Sequence, residues 1–338
     1  MRIRFLTSTP LDIRRGSGTY AGIQALSGAL EKLGHTTIYE TPRHHYPNYT
    51  FERLAFNRSL RRSDDFDLTV GFDMDGYRIA SATAHVASLK GVIADEVQFE
   101  SGLTRLTMSI QARCERLHVN RAARVLVTSH YSSERAMEFY GLRERPAMVP
   151  ELIDLAVWPR ILAENPVQPC GFTLLFVGRF YHRKRVPVLL RAAALLREGL
   201  PELRVRIVGN GPCGKTWRTL ARELRLDGVV TWLGDVSRAQ LACEYNRADA
   251  FCLPSVQEGF GIVLLEAMAA GKPIVASRAA SIPEVAPHAV LVEPDNAEAL
   301  AEGIVQVFQS PPAPKDWIEQ FDAPPVAWRF LEAVSGLR

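Results

Sequence analysis

Glu258 and Glu266 bracket the stretch EGFGIVLLE, two acids separated by seven residues, with Gly259 and Gly261 close behind the first. Glycines on both sides of Phe260 let a backbone come near a ligand. The N–H groups at a helix start favour an anion such as a diphosphate. The two carboxylates then have room for different work: Glu258, ahead of the helix, can meet sugar hydroxyls, and Glu266, one to two turns in, can accept from both hydroxyls of a ribose. Glu266 is embedded in VLLEAMAA, so a buried carboxylate there needs partners to offset its desolvation. The plainer reading of a lone Glu is a solvated helix face.

A second stretch, GNGPCGKT (209–216), fits the phosphate-loop pattern G-x-x-x-x-G-K-[ST] position for position. RIVG before it and a helical run after it supply the strand-loop-helix setting. Such a loop works by aiming consecutive backbone N–H groups at phosphate oxygens, and Pro212 has none to offer. No later strand ends a buried apolar run in the Asp that magnesium would want. An ATP-dependent phosphotransferase is therefore the rival reading.

Alternating strand and helix signals must position these residues. In the first half, strands are expected at 3–8, 36–40, 67–72, 85–89, 124–129 and 146–150, with helices at 20–34, 101–122 and 132–141. After ENPVQPCG (164–171) the alternation restarts, with strands at 172–178, 203–209, 229–234, 250–254, 273–277 and 289–293. Helices are expected at 186–199, 214–226, 237–248, 261–271 and 297–309, and a last one at 324–337 follows SPPAPKDW (310–317). Repeated strand-helix-strand units imply an α/β class with parallel sheets covered on both faces and ligands beyond the carboxyl ends of the strands.

The 338 residues suit two domains. With 47% hydrophobic and 23% charged residues and no apolar run of spanning length, a soluble protein is expected. The start, MRIRFLTSTP, reads as a strand rather than a secretory signal. Five scattered cysteines without a C-x-x-C pair support neither a disulfide framework nor a zinc site, so a reducing cytoplasm is expected. A net charge of +3 does not imply nucleic acid. Residues 1–150 carry 20 Lys+Arg against 16 Asp+Glu, and part of the excess lies in 42–62, where Arg43, Arg53, Arg58, Arg61 and Arg62 alternate with Tyr46, Tyr49, Phe51 and Phe56. That segment offers a surface for anionic lipid headgroups at the inner membrane face or for an anionic acceptor. As ordinary structure it is a solvated loop and helix with apolar residues turned inward.

EGFGIVLLE resembles the E-x7-E motif of retaining GT-B glycosyltransferases of the GT4, or group 1, family. FVGRFYHRKRVPVLLRAA (176–193) is similar to that family's G-R-x-x-x-x-K segment, IVGNGP (207–212) to its second-strand turn and TWLGDVS (231–237) to its third-strand end. GSGTYAGIQALSGALEKLGH (16–35) resembles the glycine-rich first loop and helix, and VLVTSHYSS (125–133) the strand before the linker. The resemblance covers most of the chain and is strongest from 172 to 293.

It implies a GT-B fold of two Rossmann-like doubly wound parallel-sheet domains facing an interdomain cleft: an acceptor-side domain at 1–163, a nucleotide-sugar domain at 164–310, and a segment at 311–338 whose helix packs back across the junction. The implied activity moves a sugar from a UDP-, GDP- or ADP-linked donor to a glycan or lipid-linked acceptor hydroxyl with retention of configuration, without metal or cofactor, in glycan biosynthesis. By the same resemblance Arg179 and Lys184 neutralise the leaving diphosphate, Glu258 contacts the donor sugar as a catalytic group, and Glu266 holds the ribose. Asn210, in the second-strand turn, and the N–H groups of Gly259, Phe260 and Gly261 contact the donor; Gly16 and Gly18 let the first loop approach the diphosphate. On the plainer view Arg179 and Lys184 are surface cations, and Arg183 or Arg185 could take the lysine's part.

The acceptor side departs from the family. Many relatives carry a histidine where this chain has Lys90, and KGVIADE then offers Asp95 and Glu96. Transfer with the leaving phosphate taking the acceptor's proton does not require that histidine, and Lys90 or Asp95 would orient the acceptor hydroxyl. The D-M-D of GFDMDGY (71–77) invites metal binding or acceptor contact, and His44 and His45 lie in a polar loop without a third ligand nearby. A non-catalytic nucleotide- or glycan-binding relative is a third possibility.

Overall fold

The computed structural model describes residues 1–9, 18–168, 171–309 and 315–337. Gly16, residues 169–170 and residues 310–314 lie outside the described residues. Two compact units emerge: residues 1–9, 19–152 and 323–337 form the first, and 153–168, 171–309 and 315–322 the second.

Unit 1 contains the strands β1 (Arg2–Leu6), β2 (Thr36–Glu40), β3 (Leu68–Phe72), β4 (His85–Leu89), β5 (Arg124–Val127) and β6 (Ala147–Met148), with helices α1 (Gly18–Lys32), α2 (Tyr49–Ser59), α3 (Ile93–Glu96), α4 (Gly102–Val119) and α5 (His130–Tyr140). All pairings are parallel, in the order β2-β1-β3-β4-β5-β6. Side chains alternate across the sheet. Val86 joins Ile3, Val70 and Phe330 on one face, whereas Ala87 and Leu89 meet Val119, Ala136 and Tyr140 on the other. A sheet apolar on both faces must be covered on both. The helix stops are local: α5 starts at Ser129, whose side chain accepts from Ser132 N–H, and ends at Gly141 in the left-handed region, φ 66°.

Unit 2 repeats the plan with β7 (Phe172–Val177), β8 (Leu203–Val208), β9 (Val230–Gly234), β10 (Ala250–Leu253), β11 (Ile274–Ser277) and β12 (Val290–Val292). Its helices are α6 (Trp158–Glu164), α7 (Val186–Leu196), α8 (Gly214–Glu223), α9 (Arg238–Arg247), α10 (Ile262–Ala269), α11 (Ile282–Val285) and α12 (Ala297–Gln309). The order is β12-β11-β10-β7-β8-β9, again parallel throughout. The inner strand β10 is wholly buried, while the edges β9 and β12 consist mostly of half-buried residues.

Strand order reverses between β7 and β10 in unit 2 and between β1 and β3 in unit 1. In doubly wound sheets the connections leave such a point in opposite directions and open a crevice at the carboxyl ends. By that rule, those two points are where a ligand site is expected in each unit.

The unit boundary falls at Leu152–Ile153, ahead of α6, rather than at 163. Trp158 explains it: the indole is buried against Tyr245 with ring centroids 5.8 Å apart, and its Nε1–H donates to the Glu266 carbonyl at 3.3 Å. At the other end α13 (Ala323–Ala333) buries Val326, Ala327 and Phe330 in the core of unit 1.

Candidate active site

Arg179 and Lys184 leave the carboxyl end of β7, and Glu258 leaves that of β10, so the reversal of strand order brings them side by side. Lys184 Nζ lies 2.5 Å from Glu258 Oε1, with the two side chains 12% and 8% exposed. The loops are stitched together by Val256 N–H, which donates to the Arg183 carbonyl at 2.9 Å. Ser281 Oγ donates to the Glu258 carbonyl at 3.0 Å and fixes that loop from below. The basic run is sorted by these contacts. Arg185 pairs with Asp295 at 2.6 Å and Arg183 stacks on Tyr181, so Lys184 is the cation that meets the acid. Arg179 reaches Asp235 at 3.9 Å, both about a third exposed, a loose pair that water already screens.

The loop after Glu258 enters α10 through Gly261 at φ 86°, and no side chain caps the helix. Phe260 turns its ring into the core against Phe321, so its backbone alone can face a ligand. Glu266, on the second turn, finds the partner its burial demands: Tyr245 Oη–H donates to Oε2 at 2.9 Å. Burial pushes the Glu266 carboxyl up to about 7, with the Tyr245 hydrogen bond and Arg238 working in the opposite direction. Three contributors were not named as site residues from sequence: Asp235, Tyr245 and Ser281. Asp235 ends the TWLGD stretch and could have been found there. Tyr245 and Ser281 carry no local signal.

The phosphate-loop pattern does another job. Gly209 N–H donates to the Gly234 carbonyl, Cys213 N–H to Phe180, Gly214 N–H to Gly211, and Gly211 N–H to Asn210 Oδ1, all within 2.8–3.1 Å. Those donors are spent inside the protein. A Cβ on Gly209 would stand 2.0 Å from the Gly178 carbonyl, so glycine there serves the close approach of two loops, not a nucleotide. Asn210 is exposed, and Lys215 and Thr216 begin α8 facing solvent. Lys215→Ala is accordingly expected to change nucleotide affinity by no more than about twofold, as a surface substitution should, when measured by titration calorimetry.

In unit 1 the acceptor-side candidates are already occupied. Lys90 Nζ pairs with Glu151 at 2.9 Å, both side chains buried, and Asp95 accepts from Tyr131 Oη at 2.7 Å. Of the D-M-D acids, Asp75 is fully buried and accepts from Ser8 N–H and Oγ–H at 2.6 Å, from Asn57 at 3.0 Å and from Arg53 at 3.4 Å. Arg53 thus leaves the basic surface stripe for the interior. Tyr46, Tyr49 and Phe51 stay exposed, as do Arg43 and Arg58, while His45 lies 3.2 Å from Glu52. Gly18 opens α1. No group of three or more His, Cys, Asp or Glu side chains converges among the described residues.

The family model for group 1 glycosyl transferases matches residues 160–322. A D-inositol 3-phosphate glycosyltransferase of Pseudarthrobacter chlorophenolicus is 32% identical over 206 residues, covering 57% of this chain and 49% of that protein. The same-named protein of Actinosynnema mirum is 34% identical over 177 residues, covering 50% and 39%. The chain thus spans at most about half the length of these curated relatives. Among solved structures, sucrose-phosphate synthase of Thermosynechococcus elongatus superposes with a TM-score of 0.74 at 20% identity, covering 100% of this chain and 94% of that one. WaaG, a glycosyltransferase of lipopolysaccharide biosynthesis, gives 0.72 at 20% identity, covering 99% and 100%. Anabaena HepE, solved with UDP-glucose, gives 0.73 at 18% identity over the whole of both chains. Two Rossmann-like units with six parallel strands each are the GT-B fold of these solved structures, and residues 160–322 match the group 1 glycosyl transferases.

Proposed function

We infer that this chain moves a sugar from a nucleotide-diphosphate donor to an acceptor hydroxyl with retention of configuration and without a metal ion. The observation that carries the reading is the buried Lys184–Glu258 pair at the strand reversal of unit 2, with Arg179 in the same loop after β7 as Lys184 and Glu266 on the helix that follows Glu258. Breaking the glycosidic bond builds negative charge on the diphosphate. Arg179 and Lys184 would receive it, the first as a fork and the second as a point charge. Glu258 would exchange its lysine for sugar hydroxyls when the donor enters, and the uncapped start of α10 would face phosphate or sugar. Glu266 would take the two ribose hydroxyls.

HepE with UDP-glucose makes UDP the first base to test, and the relatives' name makes a phosphorylated cyclitol the first acceptor. The exposed Tyr46, Tyr49 and Phe51 beside Arg43 and Arg58 support peripheral contact with anionic lipid at the cytoplasmic membrane face and, with it, a lipid-linked acceptor.

The test is turnover of UDP-, GDP- and ADP-sugars in excess EDTA. One of them should be consumed at a rate magnesium does not raise; no binding of any nucleotide would end this reading. Affinity should also depend on pH. With its carboxyl at about 7, Glu266 must lose its proton before it can accept from both ribose hydroxyls, so affinity falls as pH drops through 7. A weakening of about tenfold from pH 8 to pH 6 follows from the charged fraction and would show in calorimetric titrations.

A further inference from the structure

Asp73 is the acid of the D-M-D motif that its neighbours leave open. It is the first residue beyond β3, at the carboxyl edge beside the reversal between β1 and β3, where a ligand of unit 1 would lie. Its backbone is left-handed, φ 52°, a conformation uncommon for residues other than glycine but one that aspartate and asparagine adopt more readily than most.

The holding parts are visible. Asp73 Oδ1 accepts from Lys90 N–H at 2.9 Å, and the Asp73 carbonyl accepts from His118 Nδ1 at 2.6 Å. A carbonyl can only accept, so His118 carries its proton on Nδ1 and accepts at Nε2 from His85 Nε2–H, 2.9 Å away. Burial keeps both rings neutral by lowering His85 to about 3 and His118 to about 4. The chain of two histidines thus fixes the aspartate's backbone without a charge of its own. Oδ2 remains: among the described residues its named neighbour is Arg53 Nη2 at 3.9 Å, beyond hydrogen-bond reach, and the side chain keeps 15% of its exposure.

We propose that Asp73 is the acceptor-binding residue of the transfer reaction, its Oδ2 accepting a hydrogen bond from a hydroxyl of a polyhydroxylated acceptor. This rests on the glycosyl-transfer reading above. It assigns to Asp73 the contact that sequence alone assigned to Lys90 or Asp95, both of which are tied to partners. No proton need pass to Asp73; its carboxylate orients the acceptor hydroxyl, and the departing phosphate is the proton's destination in the transfer reading above. Burial lifts the Asp73 carboxyl to about 6, opposed by Arg53 on α2 and Lys90 N–H and furthered by Asp75 and Glu96; Glu115 and His118 face it from α4. The charged form is the acceptor, so transfer should fade as pH falls through 6.

The experiment compares wild type with Asp73→Asn, an isostere that tolerates left-handed backbone. The donor is the sugar nucleotide that binds wild type, and the acceptors are D-inositol 3-phosphate, glucose, glycerol and water. Expected is a loss of kcat/KM for acceptor, or of donor hydrolysis where water alone reacts, of about 10- to 100-fold. Nucleotide affinity should be unchanged, and at saturating donor the fall in acceptor kcat/KM near pH 6 should be lost in the variant. Equal acceptor kcat/KM in both proteins overturns the proposal while leaving the transfer reading intact; absence of nucleotide binding by wild type overturns the transfer reading first. If Asp73→Asn does not fold, Asp73→Gly, which the left-handed backbone admits, takes its place, and equal acceptor kcat/KM again overturns the proposal.

Discussion

Glu258→Gln is expected to lower sugar transfer by about 100- to 1000-fold, the usual loss when a charged group aimed at the reacting centre is removed. The glutamine keeps the side chain's volume, so the 6% exposed site suffers no cavity. It cannot keep the charge. Hydrogen bonds from sugar hydroxyls to a carboxylate are roughly twice as strong as those to a neutral amide oxygen, and they matter most as the sugar ring takes on positive charge. Nucleotide affinity should hold, because the diphosphate and ribose contacts come from other side chains. Steady-state kinetics with calorimetry and a thermal melt separate these outcomes. A variant with normal turnover would remove Glu258 from the site.

Lys184→Met is the second large effect. Methionine keeps the apolar stem and deletes the ammonium, so about 100- to 1000-fold in kcat should disappear with the charge that meets the leaving diphosphate. The loss should extend to binding of the bare nucleoside diphosphate, which separates this variant from Glu258→Gln. Without Lys184 the Glu258 carboxylate is left 6% exposed and unpaired in a crevice built for an anion, which adds to the cost of binding one. Arg179→Ala should show a milder version, since its pair with Asp235 is loose and solvent-exposed.

Much of the fold was written in local pattern. Runs such as FTLLFV and AFCL are apolar without alternation because both faces of a parallel strand are covered, and every one of the twelve strands is present within a few residues of its expected place. Helix ends were equally local, as at Gly141 and at Ser237, which forms a capping box with Gln240. What could not be read was anything decided by distant partners. Trp158 draws α6 into unit 2 by packing on Tyr245, and Phe330 returns the last helix to unit 1; neither choice leaves a mark in the neighbouring sequence.

The site divides the same way. Lys184 and Glu258 were nameable because each stands in a compact motif, but that they form one pair depends on β7 lying next to β10. Arg53 looked like one more cation in a basic stripe until Asp75, about twenty residues on, claimed it. GNGPCGKT misleads for a related reason. A pattern records residue types, whereas a phosphate loop needs free N–H groups, and here those of Gly209, Gly211, Cys213 and Gly214 already have carbonyl or side-chain partners.

The most direct test is a crystal structure of this chain with the sugar nucleotide it binds. The expected result places the diphosphate within hydrogen-bond reach of Arg179 and Lys184, the ribose on Glu266 and the sugar on Glu258, with Lys184 and Glu258 no longer paired to each other. A nucleotide seated on residues 209–216, or one that leaves the Lys184–Glu258 pair untouched, would contradict the account.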